Sequence, residues 1–190
     1  ESSSALINVI STFDDVILST ANITVTDNVN KTEADTIDAY NKTSGVVTLT
    51  SITDTVLNVT AVENNTNISL DTSTITVTDA ASLNDANAIN NFTTAQVTLN
   101  SVEDTYSNIQ DIKKIDDALV NMGAASLKVS DNVTKTEVDD LRTDTTGNIT
   151  LTSLTEDKGD LGTINGFTDV ILSTATVSYT HLTLPTSVPV

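Results

Sequence analysis

The sequence predicts an α/β fold, a repeat solenoid of strand–short helix half-repeats, with a parallel β-sheet on one side and helices on the other. Each half-repeat takes about 26 residues. Three observations carry this. "ITVTD" stands at 23–27 and 75–79, and its variant "LKVSD" at 127–131, two equal intervals of 52 residues. A second motif lies between these copies: "VTLTSITDT" (47–55), "VTLNSVEDT" (97–105) and "ITLTSLTED" (149–157). Finally, a capping residue followed three positions later by an acid recurs after each strand motif. Catalysis has no use for so even an interval, but stacking does, because each unit buries its apolar face against a copy of itself.

The strands come first in each unit. Both motifs alternate apolar and polar residues, as a half-buried strand does. Ile23 and Val25 point inward and Thr24 and Thr26 outward; Val47 and Leu49 point inward and Thr48 and Thr50 outward. Helix starts follow. Asn30…Glu33, Ser82…Asp85 and Thr134…Glu137 are capping boxes, in which the cap oxygen and the acid satisfy orphan amides of the first turn. Val29, Ala81 and Val133 before the cap, with Ala34, Ala86 and Val138 after it, occupy the places of a hydrophobic staple. Ile37, Ile89 and Leu141 continue that face. The second half of each repeat is read the same way, with starts at Ser51…Asp54, Ser101…Asp104 and Ser153…Glu156. Gly45 and Gly147 stand where a helix stops before the next strand. Helices this short need burial against a sheet. Six strands give a sheet on the order of 29 Å long.

Composition bounds the function. The chain has 190 residues, with 38% apolar but only 3% aromatic residues and no Trp or Cys. Without Cys there is no disulfide, zinc finger or thiol chemistry. The net charge of −18 repels nucleic acid and anionic lipid. No apolar run approaches the roughly 20 residues of a membrane span, so neither nucleic acid nor membrane insertion is expected. The first ten residues, "ESSSALINVI", show neither an initiating Met nor a signal pattern.

Candidate chemistry is sparse. The one His (His181) lies near the carboxyl end, so no Ser–His pair is built within the repeats. Asp14–Asp15, Asp116–Asp117 and Asp139–Asp140 are adjacent acids, which do not face each other on a helix and read as solvated. The six glycines form no phosphate loop. No catalytic residue, metal ligand or cofactor is expected, with weak Ca2+ binding by the acidic surface left open. The strand-end acids Asp27, Asp79 and Asp131 would lie two rungs, roughly 9.6 Å, apart. That is too far to share an ion held at about 2.3–2.6 Å. They are read as turn caps, with Ser51, Ser101 and Ser153 bridging them. The outward threonines Thr24, Thr26, Thr48, Thr50, Thr76, Thr78, Thr150 and Thr152 would form two columns and are the candidate surface-binding face. Lys128, Asn100 and Ser130 interrupt it. Its TxT pattern resembles the ice-binding face of insect antifreeze proteins, and Thr also suits any exposed strand. Asn-x-Thr triplets recur, among them Asn41–Thr43, Asn58–Thr60 and Asn91–Thr93, and mean glycosylation only in a secreting eukaryote.

Two resemblances complete the reading. The stretch "ITVTDAASLNDANAINNFTTAQVTLNSVEDT" (75–105) resembles repeats of very long extracellular bacterial proteins of marine and cyanobacterial type, assigned to cell surfaces, adhesion or envelope structure. The likeness runs to about residue 176 and implies architecture and location rather than activity. "FTDVILSTAT" (167–176) repeats "FDDVILSTAN" (13–22), but "VSYTHLTLPTSVPV" then replaces the expected "ITVTD". This tail, with His181, Pro185 and Pro189, resembles translated sequencing-adapter read-through in proteins from metagenomic assemblies. Residues 1–176 are therefore expected to be repeats truncated at both ends, and 177–190 a non-native tail; the other reading is a polar exit segment. Such a fragment is expected to fray or self-associate at its ends.

The expected function is a non-catalytic spacer or adhesive segment of a large secreted or cell-surface protein, its partners the neighbouring repeats and an extracellular ligand of unknown identity. One alternative is a binding module using the Thr face on a glycan, ice, mineral or protein. Another is a set of accessory repeats of an enzyme whose catalytic domain lies outside these residues.

Overall fold

The computed structural model describes residues 22–41, 45–115, 119–172 and 174–179. The fold is α/β, with every described strand pairing parallel to its neighbours, as the sequence predicts. Six strand–helix units follow one another: β1 (Ile23–Val29) and α1 (Lys31–Asn41), β2 (Val47–Asp54) and α2 (Val56–Glu63), then β4 (Thr74–Ala81) and α3 (Leu83–Asn90). They continue through β5 (Val97–Asp104) and α4 (Tyr106–Lys114), β7 (Ser126–Val133) and α5 (Lys135–Asp144), and β8 (Ile149–Glu156) and α6 (Lys158–Ile164). The sheet path runs β1-β2-β4-β5-β7-β8 and ends, among the described residues, in β10 (Thr176–Tyr179); it does not join end to end. Three residues of β10, Val177–Tyr179, belong to the segment set aside as a tail; they pair with Leu154–Glu156 of β8.

Alternation places the core where the motifs indicate. Ile23, Val25, Val47 and Leu49 are buried, while Thr24, Thr26 and Thr50 are exposed. The staple residues Val29, Ala81 and Val133 are buried with Ala34, Ala86 and Val138, and Ile37, Ile89 and Leu141 are buried one turn on. These side chains and the inward strand residues form a single apolar cluster. Its aliphatic make-up explains how so few aromatics suffice.

The three first-half capping boxes form as expected. Asn30 Oδ1 accepts from Glu33 N and Glu33 Oε2 from Asn30 N, both at 3.0 Å; Ser82/Asp85 and Thr134/Glu137 repeat the arrangement. The second-half boxes do not form. Ser51, Ser101 and Ser153 lie inside strands, and the caps are Thr55, Thr105 and Asp157. Burial decides against the earlier start: Ile52, Val102 and Leu154 are fully buried, and Ile52 pairs with Val29 on one side and Ile75 on the other. A helix beginning at Ser51 would pull that residue out of the sheet.

Gly147 is not a helix stop either. Helix α5 is capped by Thr145, and a Cβ on Gly147 would stand 2.2 Å from the Ala125 carbonyl oxygen. The glycine permits close approach of two chain segments.

Short strands also appear where the sequence suggested only a return. β3 (Ile68–Ser69), β6 (Val120–Asn121) and β9 (Val170–Ile171) pair with the first residues of β2, β5 and β8. The chain then leaves the sheet for four residues and rejoins the same strand as β4, β7 or β10. Ser73 holds the first excursion, donating from Oγ to the Leu49 carbonyl at 2.5 Å. Thr93 and Thr145 donate to the carbonyls of Ser73 and Ala125 at 2.7 and 2.6 Å. Their neighbours Thr94 and Thr146 bind Asp71 and Gly123 in the same way.

Candidate functional site

Every strand motif ends in an acid, and these acids define the most repeated polar geometry in the molecule. Lys31 N donates to Asp54 Oδ2 at 2.8 Å, Val56 N to Asp79 Oδ1 at 2.8 Å, and Leu83 N to Asp104 Oδ2 at 2.9 Å. Tyr106 N donates to Asp131 Oδ1 at 2.8 Å, and Lys135 N to Glu156 Oε1. In each case the donor is the first amide of a helix, and the acceptor sits at the end of the next strand along the sheet. Five of the six described helices are thus capped twice, by their own N-cap side chain and by a carboxylate from the following unit. Four first-turn amides of any helix lack internal partners, and the helix dipole favours negative charge there. The parallel neighbour supplies that charge.

Asp54 and Asp104 do more than the others. Asp54 Oδ1 also accepts from Thr55 N and Asn58 Nδ2, both at 2.8 Å. Asp104 Oδ1 takes Thr105 N and Asn108 Nδ2 at the same distance. Each carboxylate therefore ties its own helix start to the preceding one. Burial pushes both carboxyls up, but their hydrogen bonds outweigh it and hold them below the ordinary aspartate value.

Asp79 and Asp131 therefore bind the helix start of the preceding unit, where the sequence predicts caps of their own turns, and Ser51, Ser101 and Ser153 bond elsewhere. An extra residue in β1, β4 and β7 shifts the register beside Asp27, Asp79 and Asp131. It sets Ser51 opposite Asn28 and Ser153 opposite Asn132. Ser51 Oγ and Thr53 Oγ1 both donate to Asn28 Oδ1, at 2.9 and 3.0 Å. Ser153 and Thr155 do the same to Asn132. Opposite Ala80, Ser101 turns instead to the Ser126 carbonyl.

The candidate binding face is also rearranged. Thr24 lies beside Thr48, but Thr48 then faces Ser69 of β3. Thr76 pairs with Thr53 and Thr98, and Thr150 with Lys128 and Ile171. Because β3 and β4 share one strand position, the register steps at every double repeat and the two straight columns do not form. Among the described residues the longest threonine row is Thr53–Thr76–Thr98, which the repeat spacing does not indicate. Thr26, Thr50 and Thr78 are exposed, and Thr152 donates to the Val129 carbonyl at 2.8 Å. Lys128 and Glu103 interrupt the face with an ion pair at 2.6 Å.

Of the adjacent acids, Asp14–Asp15 and Asp116–Asp117 lie outside the described residues, as does His181. Asp139 binds Lys135 Nζ at 2.5 Å, whereas Asp140 accepts from the Tyr106 hydroxyl at 3.0 Å, so the two diverge. Among the described residues no three acidic or His side chains converge as metal ligands. Two of the Asn-x-Thr triplets are built into the fold: Asn58 binds Asp54, and Thr93 binds Ser73. A polar cavity of about 360 Å³ is lined by Gln96, Lys113, Asn121 and Asp144. The Asp144 side chain, 1% exposed, already accepts from Gln110 and Lys113. No described helix is long and apolar enough to cross a membrane. Protein-family models, curated proteins and solved structures give no match to this chain.

Proposed function

We propose that the chain is a non-catalytic spacer or adhesive segment of a large secreted or cell-surface protein, built as a solenoid whose sheet lies on one side and helices on the other. The observation that carries this reading is the row of carboxylates joining each helix start to the next strand. Each of these acids accepts the first amide of a neighbouring helix, and their work is unit-to-unit cohesion. A stack of this kind grows by one strand spacing per unit and holds whatever follows it at a set distance. Placed between a cell-surface anchor and a fluorophore, each added double repeat of 52 residues should lengthen the separation by about 9.6 Å. A separation that does not grow with repeat number would overturn the spacer.

The Thr53–Thr76–Thr98 row favours a second reading, a flat binding face for a glycan, ice, a mineral or a protein. Thr24→Lys and Thr76→Lys then separate the two: a spacer keeps its length and stability, whereas a binder loses its ligand. Inhibition of ice recrystallisation and retention on a glycan array are the measurements, and their absence in the unaltered chain would exclude those ligands.

A further inference from the structure

Asn165 and Gly166 form the single Asn–Gly pair of the chain. Both are exposed. Asn165 ends α6, a helix of seven residues that includes Gly159 and Gly162. We propose that Asn165 is a site of spontaneous deamidation and isoaspartate formation, gated by the last turn of α6.

The reaction needs only water. The backbone nitrogen of Gly166 gives up its proton to solvent and attacks Cγ of Asn165. The N–Cγ bond forms, the Cγ–Nδ2 bond breaks, and ammonia departs with a proton from solvent. Water then opens the cyclic imide at one of its two carbonyls, which leaves aspartate or isoaspartate at position 165. Glycine in second place favours the step because no Cβ crowds the attacking nitrogen.

The folded turn opposes it. Asn165 is helical, with φ −63° and ψ −18°, and Gly166 N donates to the Thr163 carbonyl at 3.0 Å. Ring closure breaks that bond and swings ψ out of the helical region. Two features of this unit make opening easy. Two glycines weaken α6, and it is the last of the described helices, with Leu161 and Leu172 only partly buried. Local opening is least costly where such contacts are fewest. The product matters to the stack. Isoaspartate adds a methylene to the main chain between buried Ile164 and Phe167, the ring over which Arg142 stacks at 3.8 Å. The lesion therefore loosens the last unit from α5 and adds a negative charge.

The test is peptide mapping of the full chain held at physiological temperature and mildly alkaline pH, with isoaspartate detected by enzymatic methylation. Position 165 should convert on the order of tenfold faster than Asn91 or Asn148, and faster still in urea. Gly166→Ala should slow conversion. Its Cβ would meet the Thr163 carbonyl oxygen at 3.2 Å, so Asn165→Gln, which disfavours the five-membered ring, serves as the second variant and should abolish isoaspartate at this position. Equal rates at the three asparagines would overturn the site. Equal rates in the folded and urea-unfolded chains would overturn the gating.

Discussion

Ile75, Leu127 and Val177 occupy one position of the repeat, each paired with the last inward residue of the preceding strand: Ile52, Val102 and Leu154. All three are aliphatic, yet Ile75 and Leu127 are each 1% exposed and Val177 is 40% exposed. The short strands show the same contrast. Ile68 and Val120 are buried, whereas Val170, at the same position of β9, is half-buried. Nothing in the residues themselves separates the middle of the sheet from its last unit. Burial at these positions belongs to the neighbour, because a strand–helix unit covers only one side of the unit before it.

The sharpest way to break that comparison is to cut the same kind of group from each region. Ile89→Ala removes a fully buried side chain of α3 and should cost about 2–5 kcal/mol in urea unfolding. Val177→Ala should change stability by less than about 0.5 kcal/mol. Comparable losses at the two sites would show that the last unit is as tightly covered as the middle.

Next in size is the carboxylate row. Asp104→Ala leaves Leu83 N, Thr105 N and Asn108 Nδ2 without their shared acceptor and should cost about 1–3 kcal/mol. In the last unit Asp157 caps only its own helix, accepting from Gly159 and Asp160, and Asp157→Ala should cost about 1 kcal/mol. The difference between the two variants measures what the cross-unit bond adds.

Titration gives a smaller effect with a defined sign. Asp54 and Asp104 sit below their unfolded value of 3.8. Their contribution is therefore complete above that value and disappears as pH falls through the folded one. Glu63 acts oppositely: burial and then Asp71 raise its carboxyl above 4.5, so ionising it as pH rises weakens the fold. On the alkaline side, burial and the Asp140 hydrogen bond push Tyr106 from 10.0 up to about 12. Stability should fall as pH rises through that window, and Tyr106→Phe should remove the fall. Thermal melts across pH, with Asp54→Asn and Asp104→Asn flattening the acid limb, check both ends. Smallest of all is the Lys128–Glu103 surface pair. Lys128→Ala should cost less than about 1 kcal/mol, and that cost should shrink as salt screens the pair.

How far each feature could be read beforehand follows from where its partners lie. The Asn30, Ser82 and Thr134 caps were legible because donor and acceptor are three residues apart. The Ser51, Ser101 and Ser153 starts carried the same local pattern, but Ile52, Val102 and Leu154 belong to the sheet, and burial outweighs a cap. Thr93–Thr94 and Thr145–Thr146 stood in register in "FTTAQ" and "DTTGN", a signal for the clamps on the excursions that only the distant Ser73 and Ala125 carbonyls explain. Asp79 and Asp131 were visible as a repeated strand end. Their true partners, the amides of Val56 and Tyr106, lie in the preceding unit.

By itself the sequence determined the α/β class, the order of strands and helices, the inward and outward faces of each strand, and half of the helix starts. All of these rest on interactions within one unit, where spacing along the chain is spacing in space. Tertiary structure alone decided the stepped register that splits the threonine columns, the double capping of helices across units, and which aliphatic residues are covered. Those depend on how far one parallel strand slides past the next, and that displacement is set by side-chain packing between units.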